Sequence, residues 1–164
     1  MIVDLAALDE PEIREFVEYW KARKGDAFAP SWSQFNLPWL NPKLIPYVIV
    51  ADAIYDSSGR ELVDFVIRFW GTGQTELKGA DKTGKRTRDE PQYRGSAGWD
   101  EYRRVVKEKI PVASRDTVYR ERHGKQANFE QVQVRLPLSD DGVNVTKVIT
   151  FGMWKSVGKE GDLN

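Results

Sequence analysis

The side chains that most often carry out chemistry are scarce in this sequence. Its 164 residues include no cysteine and a single histidine, His123, which excludes thiolate nucleophiles, iron–sulfur clusters and zinc–thiolate sites. His123 stands in a predicted hairpin turn, and the chain has neither a serine elbow nor a spacing typical of metal ligands. The adjacent carboxylates Asp140 and Asp141 also lie in a predicted turn, which such residues commonly stabilise. We therefore expect no catalytic residues and no metal site.

A basic segment around Gly84 is the remaining candidate for a charged site. Its bases are Lys82, Lys85, Arg86 and Arg88, and the acids Asp81, Asp89 and Glu90 are interleaved with them. The bases could bind an anion together with nearby backbone amides. The interleaved acids, however, favour a solvated loop whose charges neutralise one another.

Residues 62–79 must position any site that the chain has. Apolar side chains alternate through 62–70, as in a strand with one buried face. The strand breaks at Gly71, where Thr72 is predicted to cap a short helix and Gly79 to end it. Such a corner sets the helix across the face of a sheet, so the space between them must hold either side chains or a ligand.

The other elements predict an α+β domain preceded by an amphipathic helix. We assign the N-terminal helix and an ordered, Pro- and Trp-rich linker to residues 1–42, the domain to 43–157 and a polar tail to 158–164. A longer helix is expected between Ser96 and Pro111. Strands are expected over 47–54, 62–70, 112–122, 127–138 and 143–154.

In its order of elements and in several short motifs, the chain resembles the PAS domain, specifically the proteobacterial PAS_5 family. The motifs are Tyr19-Trp20 with Arg23 and Gly25, Trp32–Leu37, Phe69-Trp70-Gly71-Thr72 with Glu76-Leu77-Lys78-Gly79, Thr83-Gly84-Lys85, and Leu136–Gly142. The resemblance implies a five-stranded antiparallel sheet of order 2-1-5-4-3 with helices on one face, in addition to the N-terminal helix. It also implies a role in sensing or partner binding.

The resemblance places a ligand pocket between the sheet and the helices. We predict an apolar lining with a few polar groups; the alternative is a close-packed, dry core. The predicted residues are Phe65, Ile67, Phe69, Trp99, Tyr102, Val106, Val132, Val134, Ile149 and Phe151, with Thr72, Gln74 and Tyr119 as the polar groups. A small organic ligand or a noncovalent flavin remains open. Haem and a cysteinyl flavin are disfavoured, because they require an axial histidine on the long helix and a cysteine.

The N-terminal helix is predicted to form a homodimer. It carries an apolar stripe of Ile13, Phe16, Val17 and Trp20, which would pack on a second copy or on its own domain. A signalling protein is a further expected partner. Nucleic acid is not, because 25 basic and 25 acidic residues balance.

The leading prediction is a stand-alone PAS-type sensory or regulatory module rather than an enzyme. One alternative is a small cone-shaped enzyme of the ketosteroid-isomerase type, which needs a buried acid such as Asp52. Another is a purely structural dimerisation unit. The sequence has no apolar run long enough to span a membrane and no signal-peptide pattern, so we expect a cytoplasmic protein with no membrane partner.

Overall fold

We describe the fold from a computed structural model, which describes residues 1–90, 96–122 and 124–157. The predictions for His123 and for the tail 158–164 lie outside these residues. Among the described residues, no helix has the length and apolar character needed to cross a membrane.

An antiparallel sheet of six strands forms the centre of the molecule. Its strands are β1 (Ile2–Val3), β2 (Val48–Tyr55), β3 (Leu62–Trp70), β4 (Val112–Arg122), β5 (Lys125–Leu138) and β6 (Lys147–Ser156). They are ordered β1-β4-β5-β6-β2-β3. The α+β class is confirmed. The predicted count of five strands is wrong, and so is the order of the complete sheet, because the two-residue β1 extends the edge beyond β4.

Four α-helices accompany the sheet among the described residues: α1 (Pro11–Lys24), α2 (Trp32–Phe35), α3 (Thr72–Lys78) and α4 (Ala97–Glu108). Short 3-10 turns occupy Leu5–Ala7, Leu37–Trp39, Ile45–Tyr47 and Thr87–Asp89. Ser96 caps α4 by accepting a hydrogen bond from the backbone N–H of Trp99 at 3.2 Å, because a serine hydroxyl satisfies a donor that the first helical turn leaves unpaired.

The two longer helices cover opposite faces of the sheet. Side chains alternate between faces along a strand, and in β2 Val48 and Val50 join the apolar cluster of α1. The intervening Ile49 and Ala51 join the cluster of α4. The central strands are therefore apolar on both sides, and each side requires its own cover.

The apolar stripe of α1 packs on the chain's own sheet. Phe16 is fully buried and stacks on Phe151 of β6 at a centroid distance of 5.3 Å. The indole Nε1 of Trp20 donates to the backbone oxygen of Pro137 at 2.9 Å. The proposed interface residues Ile13, Phe16, Val17 and Trp20 are thus internal, and their assignment to a dimer contact is corrected. A homodimer stays a prediction, and it would have to form through another surface of the molecule.

Thr72 does not cap α3. Gly71 occupies the cap position with φ −61° and ψ 146°, and no side chain caps this helix. Thr72 is the first helical residue, and its side chain is exposed. The cap prediction is wrong because the chain turns one residue earlier, where only a glycine fits against the backbone of Pro46.

Both edges of the sheet are paired with short segments. β1 lies along β4 at one edge. At the other edge, Ile67 of β3 donates its N–H to Lys85 O at 3.0 Å and accepts from the N–H of Gly84 at 2.7 Å. Val66 also forms a bridge with Arg86. The basic segment is therefore attached to the sheet rather than surrounded by solvent.

Candidate anion-binding site

A cavity of about 120 Å³ lies between the α4 face of the sheet and the segment that runs from α3 to the Thr87–Asp89 turn. Its apolar wall consists of Ile49, Ile67, Trp70 and Tyr102, and its cationic wall of Lys78, Lys82, Lys85, Arg86 and Arg135, with Thr87 and Glu90 beside them. An apolar wall that faces convergent polar groups is a feature of small-molecule sites.

The predicted apolar lining divides into two sets. Ile67 and Tyr102 line the cavity, and Phe65, Trp99 and Val106 pack in the same cluster beside it. The remaining residues face α1 on the opposite side of the sheet: Phe69, Val132, Val134, Ile149 and Phe151. The assignment of these five is corrected, since β5 turns its apolar side chains toward α1 and its polar ones toward the cavity.

None of the predicted polar residues lines the cavity. Thr72 is exposed at the start of α3, and Tyr119 is 74% exposed on β4. Gln74 is buried, but its amide donates to Tyr47 O at 2.7 Å and to Gly152 O at 3.0 Å. Gln74 therefore fixes α3 to the sheet and has no free donor for a ligand.

A buried polar network forms the sheet side of the site. Arg135 Nε donates to Glu101 Oε2 at 2.9 Å, and its Nη1 donates to Thr150 Oγ1 at 3.0 Å. Its guanidinium lies 4.2 Å from the ring centroid of Tyr102, and Gln133 Nε2 also donates to Glu101 at 3.3 Å. Several partners fix Arg135, as expected of a buried charge that is stable only when paired.

Sequence reasoning missed this network, although a signal for it exists. In β5, Gln133 and Arg135 alternate with valine and leucine. In a central strand covered on both faces, such polar positions must pair with groups from another element. The partner Glu101 could not be identified, because its helix reads as an ordinary amphipathic helix.

The hydrogen-bond donors on the cavity wall differ in whether a protein group pairs with them. Lys82 and Lys85 each lie 3.6 Å from a carboxylate oxygen of Glu90. The buried Nε1 of Trp70 has no hydrogen-bond acceptor among the residues that the structure describes. Lys78 and Arg86 have no acceptor or carboxylate partner for their side chains anywhere in the described part of the chain. The wall therefore offers an ammonium and a guanidinium that no group in the described part of the chain pairs with.

Lys78 is the most strongly perturbed of these groups. It is half-buried by area, but its ammonium is surrounded by protein and lies 5.3 Å from the ring centroid of Trp70. Burial, followed by the positive charges of Arg135 and Lys82, lowers the pKa of Lys78 from 10.5 to about 7. Near neutral pH the side chain is thus present both as an ammonium and as a free amine.

A larger groove beside α1 is a weaker candidate. It encloses about 530 Å³ and is lined by residues that include Glu15, Asn41 and Tyr47. Asn41 Nδ2 already donates to Glu15 at 2.9 Å. No cluster of three or more histidine or acidic side chains within the described ranges could hold a metal ion.

The sequence matches no known family model and none of the curated proteins with which it was compared. The cavity must therefore be interpreted from its own chemistry, in which Lys78 and Arg86, unpaired among the described residues, lie opposite an apolar wall.

Proposed function

We propose that the chain is a PAS-type regulatory module that binds a small organic anion in this cavity. The observation that carries the proposal is the convergence on one cavity of Lys78 and Arg86, whose charged groups have no acceptor or carboxylate partner among the described residues. A carboxylate supplies acceptors only, and it binds a guanidinium through two parallel hydrogen bonds. The apolar wall would accept the hydrocarbon part of the ligand.

The arrangement of strands supports the PAS-type part of the proposal. The five predicted strands lie side by side as β3-β2-β6-β5-β4 within the larger sheet, in the relative order that the resemblance implies. The cavity lies between this sheet and the helical segment that follows Gly71, where that resemblance places a ligand. Signalling would then pass through the surface to a protein partner or a second copy.

The size of the cavity limits the ligand. Its volume of about 120 Å³ is close to that of an engineered cavity of roughly 150 Å³ in another protein, which binds benzene. A ligand of similar size fits without movement of the walls. A tricyclic flavin would require Trp70 and Tyr102 to move apart, so we favour a small carboxylic acid over a flavin.

The alternative functions receive less support. An isomerase of the cone type needs an acid that faces the cavity, but Asp52 does not line it, and Glu90, which does, is shared by Lys82 and Lys85. Asp52 is instead paired with Arg68 at 2.5 Å and with Lys147 at 3.2 Å. A purely structural unit does not explain why Lys78 and Arg86 converge on one cavity without a carboxylate partner in the described part of the chain.

Small carboxylates are expected to bind through Arg86. We expect benzoate to raise the melting temperature of the protein and benzamide to have no effect. Arg86→Gln should weaken benzoate binding about tenfold or more, because a hydrogen bond to a charged group contributes about 1.5–3 kcal/mol. Isothermal titration calorimetry measures the change.

The matched control is Arg60→Gln, which removes an exposed arginine that does not line the cavity. It should bind benzoate as the parent does. Equal weakening in both variants, or the failure of every small carboxylate to bind, would contradict the anion site.

Carboxylates that carry no ketone or aldehyde group, such as benzoate, should bind more weakly as the pH rises above 7. An anion favours the charged form of Lys78, whose pKa in the free protein is about 7. That form is abundant below pH 7 and is lost above it, so the affinity for benzoate should fall about fivefold to tenfold between about pH 7 and pH 8. Lys78→Arg should remove this dependence, since its guanidinium stays charged. A parent whose affinity does not change with pH would show that Lys78 does not contact the anion.

A further inference from the structure

Building on the proposed anion site, we infer that its ligand is a small 2-oxo acid: Arg86 binds the carboxylate, and the amine of Lys78 forms a reversible imine with the carbonyl carbon. This assignment gives the ligand a second functional group and gives Lys78 a covalent role.

The position of Lys78 separates it from the other lysines of the cavity. Lys82 and Lys85 share the carboxylate of Glu90. Lys78 ends α3 immediately before Gly79, which adopts a left-handed conformation with φ 83°. Its Nζ lies near the Trp70 ring, and no carboxylate in the described residues pairs with it.

The charges around Lys78 favour a neutral amine. Burial disfavours the charged form most. Arg135 on β5, Lys82 in the loop after α3 and Arg120 on β4 oppose a further positive charge, whereas Glu101 on α4 acts in the opposite direction, and the pKa of Lys78 falls to about 7. A lysine that is desolvated beside other cations is an activated nucleophile toward carbonyl compounds.

The small volume of the cavity favours adjacent carboxylate and carbonyl groups. Lys78 and Arg86 line the same space of about 120 Å³, and we place both of them against one short ligand. In a 2-oxo acid the two groups are directly bonded. The remaining carbon atoms would lie against Ile49 and Ile67.

The reaction is a simple condensation. The lone pair of Nζ forms a C–N bond with the carbonyl carbon, and a proton moves from nitrogen to oxygen to give a carbinolamine. The C–O bond then breaks, the oxygen leaves as water after gaining a proton, and a C=N bond forms. Nothing is oxidised or reduced, and hydrolysis reverses the reaction. The module would therefore hold its ligand tightly but release it when the concentration falls.

Reductive trapping on the full chain tests the inference. The protein is incubated separately with glyoxylate, pyruvate and 2-oxobutyrate at about pH 7.5 in the presence of cyanoborohydride, and the modified lysine is identified by peptide mass spectrometry. A pKa of about 7 makes the neutral fraction of Lys78 more than 100-fold that of an ordinary lysine. We expect Lys78 to be labelled on the order of 100-fold faster than Lys82 or Lys85. Lys78→Arg should abolish this adduct.

Two controls separate the imine from the anion site. Arg86→Gln should slow labelling by pyruvate but not by acetone, which has the carbonyl group without the carboxylate. Calorimetry with lactate, which has the carboxylate without the carbonyl group, reports the anion site alone.

Each outcome decides a different part of the assignment. If lactate and pyruvate bind but no 2-oxo acid labels Lys78 preferentially, the imine is wrong and the anion site stands. If neither acid binds and no adduct forms, the proposed function fails as well. If acetone labels Lys78 as fast as pyruvate does, Lys78 is reactive but the 2-oxo acid assignment is overturned.

Discussion

Replacement of Gly71 by alanine is expected to destabilise the protein by about 3 kcal/mol or more. An added Cβ would overlap the carbonyl carbon and oxygen of Pro46 and would lie 2.9 Å from Ile45 O. These are backbone atoms, so they cannot rotate away as the end of a side chain can. The contact joins the corner before α3 to the segment that precedes β2.

Whether Gly71→Ala destabilises or stabilises the protein tests directly whether Gly71 lies against the backbone of Pro46. The backbone of Gly71, with φ −61° and ψ 146°, suits any residue. Without the contact, alanine would therefore stabilise the protein by about 0.4–1 kcal/mol through the unfolded chain. Urea denaturation distinguishes the two results. Thr72→Ala is the control, because this exposed neighbour makes no cap and its loss should change stability by at most about 0.5 kcal/mol. A stabilised Gly71→Ala variant would show that the two segments are farther apart.

Loss of Arg135 is expected to cost about 3–5 kcal/mol, because it leaves a buried carboxylate without its counterion. The side chains of Arg135 and Glu101 are only 5% and 3% exposed. In Arg135→Leu, Glu101 would keep Gln133 as its partner at 3.3 Å, but a neutral amide does not replace a guanidinium. Chemical denaturation gives the free energy of unfolding.

A double substitution separates the effect of leaving the Glu101 carboxylate unpaired from the effect of losing the packing of the Arg135 side chain. Glu101→Leu combined with Arg135→Leu removes both charges and should lose clearly less stability than Arg135→Leu alone. The matched control is Arg104→Leu on α4, which breaks a pair with Glu108 that is 43% and 49% exposed and should change stability by less than about 0.5 kcal/mol. If the double variant is the least stable, the buried ion pair is not the cause.

The sequence predicts the main strands because their periodicity is strong. Alternation in β3 and a continuous apolar run in β2 place both strands within one or two residues of their observed bounds. β1 could not be predicted, since two residues contain no period. The sequence favoured a dimer contact for α1, but the helix packs on its own sheet, because an apolar stripe shows that a helix is buried and not what buries it.

The site was harder to predict than the fold. The basic segment was interpreted as a solvated loop because acids alternate with its bases. In the structure Glu90 pairs with Lys82 and Lys85, and Arg86 keeps no carboxylate partner within the described residues. Which acid meets which base is decided by the fold and not by order along the chain. The lowered pKa of Lys78 likewise depends on burial and on the charge of Arg135, which is distant in sequence.

The hydrogen bonds between the basic segment and β3 link the cavity to the exposure of this edge of the sheet. Gly84 and Lys85 bond to the backbone of Ile67, while Lys85 and Arg86 line the cavity. The segment cannot move away from the cavity without leaving the N–H and C=O groups of β3 unpaired. An exposed edge of this kind is a template for strand addition by another chain. The residues that would hold the anion therefore also protect the protein against edge-to-edge aggregation.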